Sequence, residues 1–264
     1  MSSPTVVDSW VVTRPVSRVL GDGLRAALVD DPVGLVLVPL VFHFPNVALE
    51  AIQARYLTYV DDQLLRHPPI AFALSAGWAF ALVGRLIGQA LVVRRTARWL
   101  EHHESLPLDL ELTGVMRVFP TFLVVSLLFM LAVVGGLVML AVPALVAVTL
   151  WGFAGQAAAL GGVGVLGAFG ASRQAVRGKL LRWGGAALLV LGALVVLASG
   201  FGLIWTGLRE LFTDEVPFLL FLGAAAAVEL VSVVFTATWT ALYLDLSGAR
   251  GRLVEPLPEP SPSH

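Results

Sequence analysis

No charged side chain occurs in the 55 residues from Val118 to Ser172, which is too long a stretch for the core of an ordinary soluble domain. As a single helix it would be about 80 Å long at the usual rise per residue. The hydrocarbon layer of a membrane is only about 30 Å thick. The stretch therefore predicts two membrane crossings, joined by a tight turn near Pro143.

The composition agrees with a multi-pass membrane protein. Hydrophobic residues make up 58% of the chain and charged residues 13%, against about 25% charged in soluble proteins. A net charge of −1 provides no basic field for nucleic acid, so nucleic acid is not an expected partner. The absence of cysteine excludes disulfides, thiolate metal sites, thiol catalysis and lipid-modified cysteines. The charged N-terminal segment does not resemble a cleavable signal peptide and is expected to be retained.

Apolar runs bounded by helix-breaking residues predict an all-α fold with six transmembrane helices. The first begins after Asp31 and Pro32, because aspartate caps a helix N-terminus and proline fits its first turn. The second follows Pro68 and Pro69 and continues as a helix past its basic end. The predicted spans cover residues 33–53, 69–93, 118–140, 143–163, 184–207 and 217–244. They form one membrane domain over 13–252, with a flexible N-terminus at 1–12 and a disordered, proline-rich tail at 253–264.

The distribution of lysine and arginine predicts the orientation of these spans. Thirteen lie on one side of the predicted membrane, three lie on the other (Arg55, Arg66 and Arg209), and Arg85 lies within a span. By the positive-inside rule both termini face the cytoplasm, which predicts a multi-pass protein of the cytoplasmic (inner) membrane. Aromatic residues near the inner boundary agree with this orientation; they are Trp99, Trp183 and Tyr243.

Two segments on the cytoplasmic side have the pattern of amphipathic surface helices. In the first, apolar residues recur every fourth position at Val16, Leu20, Leu24 and Leu28. The second, at 169–183, is predicted to bind the lipid surface through its basic residues, namely Arg173, Arg177, Lys179 and Arg182. A specific lipid-binding or partner-docking role is the alternative. Between the second and third spans, the alternation of leucine from Leu106 to Leu112 predicts an extended segment.

Polar side chains within the predicted spans are the candidate functional residues, because they are costly in lipid. They are His43, Asn46, Glu50, Arg85, Gln89 and Glu229. Helix depth places Arg85 within reach of Glu229, which predicts an ion pair between the second and sixth spans. Separate partners, or snorkelling to water, are the second interpretation. A proton or substrate path that uses His43, Arg85 and Glu229 is the third.

Small residues beside these charges predict close helix packing. Gly84 and Gly88 form a GxxxG pattern around Arg85, and Gly223 with Ala227 forms a similar pair beside Glu229. Pro39 and Pro45 flank His43 and leave backbone carbonyls without a helical donor.

Sequence signatures of enzymes are absent. The chain has no HExxH, GxSxG or Walker motif, so we expect neither enzymatic activity nor a cofactor. His102 and His103 are adjacent and would point about 100° apart on a helix, which does not favour a shared metal. We therefore predict no metal site.

Two segments resemble a known membrane family. They are GAFGASRQAVRGKLLRW at 167–183 and TATWTALYLDLSGARG at 236–251. Together with the order of spans, they are similar to the six-helix membrane domain of some bacterial glycerophosphodiester phosphodiesterases and to membrane proteins of YciC type. The resemblance implies a membrane module without chemistry of its own, because the phosphodiesterase activity of the fused members belongs to a separate soluble domain.

Two functions follow as hypotheses. The first is a non-enzymatic accessory, scaffold or regulatory protein of the envelope, whose partners are the lipid bilayer and other membrane or cytoplasmic subunits. The alternative is a transport component, such as a permease subunit served by a separate ATPase.

Overall fold

A computed structural model describes residues 14–66, 68–139, 142–179, 183–185 and 218–248, with the backbone alone at 53–66, 68, 70 and 71. All regular secondary structure in these ranges is helical, which confirms the predicted all-α class. The helices are α1 (Val16–Arg25), α2 (Val38–Arg66), α3 (Pro68–His102), α4 (Leu108–Val138), α5 (Val142–Trp151), α6 (Ala154–Leu160), α7 (Val165–Val176) and α8 (Phe218–Ser247).

Five segments are long and apolar enough to cross a membrane. They are Val33–Ile52, Phe72–His102, Leu108–Val138, Val142–Leu160 and Phe218–Ser247. These correspond to the first four predicted spans and the sixth. The predicted fifth span at 184–207 falls outside the described residues except for its first two positions. Arg182 and both predicted terminal segments, 1–12 and 253–264, also lie outside the described residues.

The first span begins as predicted at Asp31. The Gly34 amide donates a hydrogen bond to Asp31 Oδ1 at 2.9 Å, so this carboxylate caps the segment that follows it. Its second oxygen, Oδ2, accepts a hydrogen bond from Ser105 Oγ at 2.5 Å. Two π-helical turns lie on either side of the cap, at Ala26–Asp30 and Val33–Leu37. Asp31 therefore joins the start of the first span to the loop between α3 and α4.

The corner between α3 and α4 corrects one prediction. Leu108 to Leu112 lie in helix α4, so the predicted extended segment is wrong for these residues. The alternation of leucine is misleading here because it runs across a helix boundary. Pro107 has an extended backbone, and α4 begins at the next residue, Leu108. Helix α3 continues through Arg94, Arg95 and Trp99 to His102, as predicted.

A buried ion pair holds this corner closed. Arg95 Nε donates to Glu111 Oε2 at 2.9 Å, and both side chains are almost fully buried. The remaining Arg95 nitrogens donate to two carbonyls, with Nη1 bonded to Gly34 O at 2.8 Å and Nη2 to Leu106 O at 3.3 Å. One side chain thus ties together the first span, α3, α4 and the intervening loop. We call this end of the bundle the basic end, after the residues Arg94, Arg95, Arg98, Arg117, Arg173 and Arg177.

The fourth span is broken in its middle. A turn at Gly152 and Phe153 separates α5 from α6. The Gly152 carbonyl oxygen accepts a hydrogen bond from Trp239 Nε1, with the two atoms 3.2 Å apart. Phe153 packs against the rings of Trp183, Trp239 and Tyr243, with ring centroids 5.2–6.1 Å apart. Trp183 and Tyr243 are therefore buried in an aromatic cluster and do not face the lipid as boundary aromatics. The break in the helix contributes two groups to this cluster, the Gly152 carbonyl that bonds Trp239 and the Phe153 ring.

The surfaces of α1 and α7 differ in part from prediction. Helix α1 buries Val19 and Gly23 against α8, where a Cβ on Gly23 would lie 2.7 Å from Thr238 Cα. Leu24 and Leu28, from the predicted apolar face, remain about half exposed. In α7 and after it, Arg173 and Arg177 are exposed, whereas Lys179 Nζ donates to the Leu246 carbonyl. Lys179 thus pairs with the C-terminal end of α8, where free carbonyls attract cations.

Candidate functional site

Helix α2 packs against both α3 and α8 and brings its polar residues to this junction. The contact with α3 is close because glycines face α2. A Cβ on Gly84 would lie 2.7 Å from the Phe42 carbonyl oxygen, and one on Gly88 would lie 2.5 Å from His43 Cδ2. The GxxxG prediction for α3 is therefore confirmed. The His43 ring occupies the space that a side chain at position 88 would take.

The Glu229 carboxylate, from α8, is the centre of a polar cluster. His43 Nδ1 donates to Glu229 Oε2 at 2.5 Å, and Asn46 Nδ2 donates to Oε1 at 2.7 Å. Arg85 Nε lies 3.4 Å from the same Oε1, so the predicted ion pair between the second and sixth predicted spans is confirmed. Asn46 Nδ2 also donates to Glu50 Oε1 at 2.6 Å. We call these five residues, His43, Asn46, Glu50, Arg85 and Glu229, the Glu229 cluster.

The centre of the cluster is buried, and one side of it is partly exposed. The side chains of His43 and Glu229 are fully buried, whereas that of Arg85 is 33% exposed. Two nitrogens of the cluster are buried without a hydrogen-bond partner among the described residues, namely His43 Nε2 and Arg85 Nε. The Arg85 contact with Glu229 is thus an ion pair without hydrogen-bond geometry. The donors that bond Glu229 are His43 and Asn46, both on α2.

The charges of the cluster can balance. Glu50 and Glu229 supply two carboxylates, and Arg85 supplies one permanent positive charge. A protonated His43 would supply a second positive charge and bring the total to zero, whereas a neutral His43 would leave one net negative charge. The cluster therefore holds α2, α3 and α8 together through hydrogen bonds and an ion pair on one buried carboxylate.

The other predicted residues lie apart from the cluster. Gln89 is half-buried and makes no side-chain hydrogen bond within the described residues. The predicted small-residue contact at Gly223 and Ala227 is wrong for this part of the chain, because both are exposed and Ala225 lies on the buried face with Glu229. Ala225 precedes Glu229 by four residues, which places both on one side of α8. His102 and His103 are exposed, and no group of metal-ligating residues occurs among the described positions.

Two features of the structure do not follow from the sequence. The sequence indicates Asn46 only as a polar candidate, yet this residue bridges Glu229 and Glu50. It indicates Arg95 only as one basic charge among several, yet this residue is buried against Glu111. The sequence signal for the buried position of Arg95 is Glu111, an acidic residue in the first turn of a helix that follows an arginine-rich helix end.

Comparison with models of protein families, with curated proteins and with solved structures finds no match. The resemblance to the six-helix membrane domain stays a prediction.

The contact between Gly88 and His43 gives a testable prediction. Gly88→Ala should destabilise the detergent-solubilised protein by about 1–3 kcal/mol, because the added Cβ would displace the His43 ring. Gly135→Ala is the matched control, since a Cβ there meets nothing within 4 Å and the change should gain about 0.5–1 kcal/mol of helix propensity. Thermal unfolding measures both. Equal effects of the two substitutions would mean that the close contact does not constrain the helices.

Proposed function

We propose that this chain is a non-enzymatic, multi-pass protein of the cytoplasmic membrane, with both termini in the cytoplasm and an accessory or scaffold role in the envelope. In this proposal the chain crosses the membrane six times, and amphipathic segments such as α7 rest on the cytoplasmic lipid surface. The membrane-compatible helices support the location. The thirteen-to-three distribution of lysine and arginine supports the orientation.

The hydrogen bonds within the Glu229 cluster are the observation that supports the scaffold role. Both oxygens of Glu229 are bonded by residues of the same chain, and its side chain is fully buried. A group engaged in this way serves to align helices, in the manner of buried polar residues that specify a unique packing. The exposed faces of α4 and α5 are then available to lipid or to other membrane subunits.

Copurification tests this role. The tagged chain is purified from native membranes in a mild detergent, and the proteins retained with it are quantified by mass spectrometry. We expect one or a few membrane or cytoplasmic proteins in near-equal amounts with the chain. A control purification from cells that express the tag on an unrelated six-helix protein removes background. Recovery of the chain without a partner, or with an ATPase as its partner, would contradict the scaffold role.

A second candidate function is a transport component that moves protons. The observation that favours it is the buried His43 Nε2, which has no hydrogen-bond partner among the described residues, since ionisable groups at membrane depth are common in proton paths. Arg85, one-third exposed, would then link the cluster to water. In proteoliposomes loaded with a pH-sensitive dye, this function predicts proton uptake that His43→Gln abolishes and Gln89→Ala leaves intact. Absence of uptake by the parent protein would eliminate it.

The orientation is tested with single cysteines, which are informative because the chain has none of its own. A membrane-impermeant thiol reagent applied to intact cells should label Thr58→Cys, which lies in the predicted outer loop. It should label Glu104→Cys, exposed in the corner between α3 and α4, only after the cells are opened. Labelling of Glu104→Cys alone in intact cells would invert the proposed topology.

A further inference from the structure

A cavity of about 640 Å³ opens at the basic end of the bundle, away from the Glu229 cluster. It lies between α1 with the π-helical turn that follows it and the last turn of α3. Its lining combines both signs of charge with aromatic rings, from Arg14, Asp22, Arg25, Asp30, Trp99 and His103. None of these residues has a part in the scaffold or transport proposals.

The charges in this cavity are arranged as two opposed pairs. Arg14 Nη2 lies 2.7 Å from Asp22 Oδ2, and Arg25 Nε lies 3.4 Å from Asp30 Oδ1. The Arg25 side chain is 73% exposed, so a ligand can reach it from solvent. Two guanidinium groups beside two carboxylates suit a ligand that carries an anionic and a cationic group together.

The aromatic part of the lining suits the cationic group. Trp99 and His103 meet edge to face, with ring centroids 6.1 Å apart. An ammonium group binds favourably against an indole face and donates hydrogen bonds to carboxylates such as Asp22 and Asp30. Trp99 therefore contributes its ring to the lining, while its Nε1 is itself buried.

Exposed apolar residues lie next in sequence to the cavity lining. Leu24, Leu28 and Val29 are 45%, 49% and 68% exposed, and they flank Arg25 and Asp30 along α1 and the π-helical turn that follows it. A ligand whose charged head occupies the cavity could place apolar chains along these residues. This arrangement favours a lipid over a small soluble compound of the same headgroup chemistry.

We propose that this cavity binds the headgroup of a zwitterionic phospholipid with a primary amine, of the phosphoethanolamine type. Arg25 and Arg14 contact the phosphate, while Asp22 and Asp30 accept hydrogen bonds from the ammonium group, which rests against Trp99. The acyl chains lie against Leu24, Leu28 and Val29. An anionic phospholipid without an amine, such as phosphatidylglycerol, fits less well, because its headgroup would meet the two carboxylates without an ammonium group to bond them.

Native mass spectrometry of the full chain, delipidated in detergent and mixed with equal amounts of phosphatidylethanolamine, phosphatidylcholine and phosphatidylglycerol, tests the proposal. We expect phosphatidylethanolamine to be retained preferentially. Arg25→Gln should reduce its retention roughly tenfold, as expected for loss of a charge-assisted contact. Asp22→Asn with Asp30→Asn should reverse the preference toward phosphatidylglycerol. Arg117→Gln, an exposed arginine of the basic end that lies outside the cavity lining, is the matched control and should change nothing.

Each remaining outcome overturns the proposal. Equal or stronger retention of phosphatidylglycerol by the parent would remove the zwitterionic preference. Unchanged lipid retention in the Arg25 and Asp variants would show that the cavity is not the binding site. Thermal unfolding is measured alongside to show that these variants are folded. We expect them to fold, because ion pairs that are partly exposed contribute little to stability. Free phosphoethanolamine is added in a separate competition. If it displaces the lipid at equal concentration, the apolar contacts contribute nothing and the ligand is the soluble compound.

Discussion

Replacement of Glu229 by alanine should lower the stability of the detergent-solubilised protein by about 3–5 kcal/mol. The change leaves His43, Asn46 and Arg85 without the carboxylate that all three contact. Hydrogen bonds between membrane helices average only about 0.6 kcal/mol, so the larger share of this loss comes from the uncompensated charge of Arg85. Denaturation with increasing SDS, followed by circular dichroism, measures the change.

A double-mutant cycle separates coupling from simple loss of packing. Arg85→Ala and Glu229→Ala together should cost less than the sum of the two single changes, by about 0.5–3 kcal/mol. Gln89→Ala is the control at matched depth on α3, because Gln89 makes no hydrogen bond within the described residues. It should be additive with Glu229→Ala. Strict additivity of Arg85 and Glu229 would show that their contact carries no energy.

Arg95→Ala should be the second most damaging single change, with an expected loss of about 3 kcal/mol. It leaves the buried Glu111 carboxylate without the hydrogen bond from Arg95 and removes the donors to the Gly34 and Leu106 carbonyls. Arg98→Ala is the matched control on the same helix, since its Nε lies 4.0 Å from Glu111 and contributes a weaker contact. The midpoint temperature of unfolding in detergent should fall clearly for Arg95→Ala and little for Arg98→Ala.

A paired replacement tests whether the charge itself is needed at this corner. Arg95→Met with Glu111→Leu removes both charges together and should recover most of the stability lost in Arg95→Ala. Only the two carbonyl contacts of Arg95 would remain unreplaced. A double variant as unstable as Arg95→Ala would mean that those carbonyl contacts, rather than the unpaired carboxylate, account for the loss.

The sequence predicted those features that depend on position along a helix. Uncharged length located five of the six predicted spans, and Asp31 and Pro32 located the start of the first. Depth along the helices placed Arg85 within reach of Glu229. Gly84 and Gly88 were correctly assigned to a close contact. Each of these inferences requires only the rise of a helix or the volume of a side chain.

Features that depend on which helices are neighbours could not be derived in this way. His43 and Glu229 were both candidates, but their direct contact requires α2 and α8 to be adjacent and correctly rotated. Gly223 and Ala227 were chosen for their size, although helix rotation turns Ala225 inward instead. The break at Gly152 and Phe153 depends on the aromatic cluster that fills it, whose members come from distant segments.

The order of the chain has a consequence for its synthesis. His43 precedes its partner Glu229 by 186 residues. At a translation rate of about 5–20 residues per second, roughly ten to forty seconds separate the two on the ribosome. During that interval the first two spans reside in the bilayer without the carboxylate that accepts hydrogen bonds from His43 and Asn46. Translation of the last described helix thus completes the cluster, and a chain terminated before residue 218 would leave His43 and Asn46 without the carboxylate that pairs them.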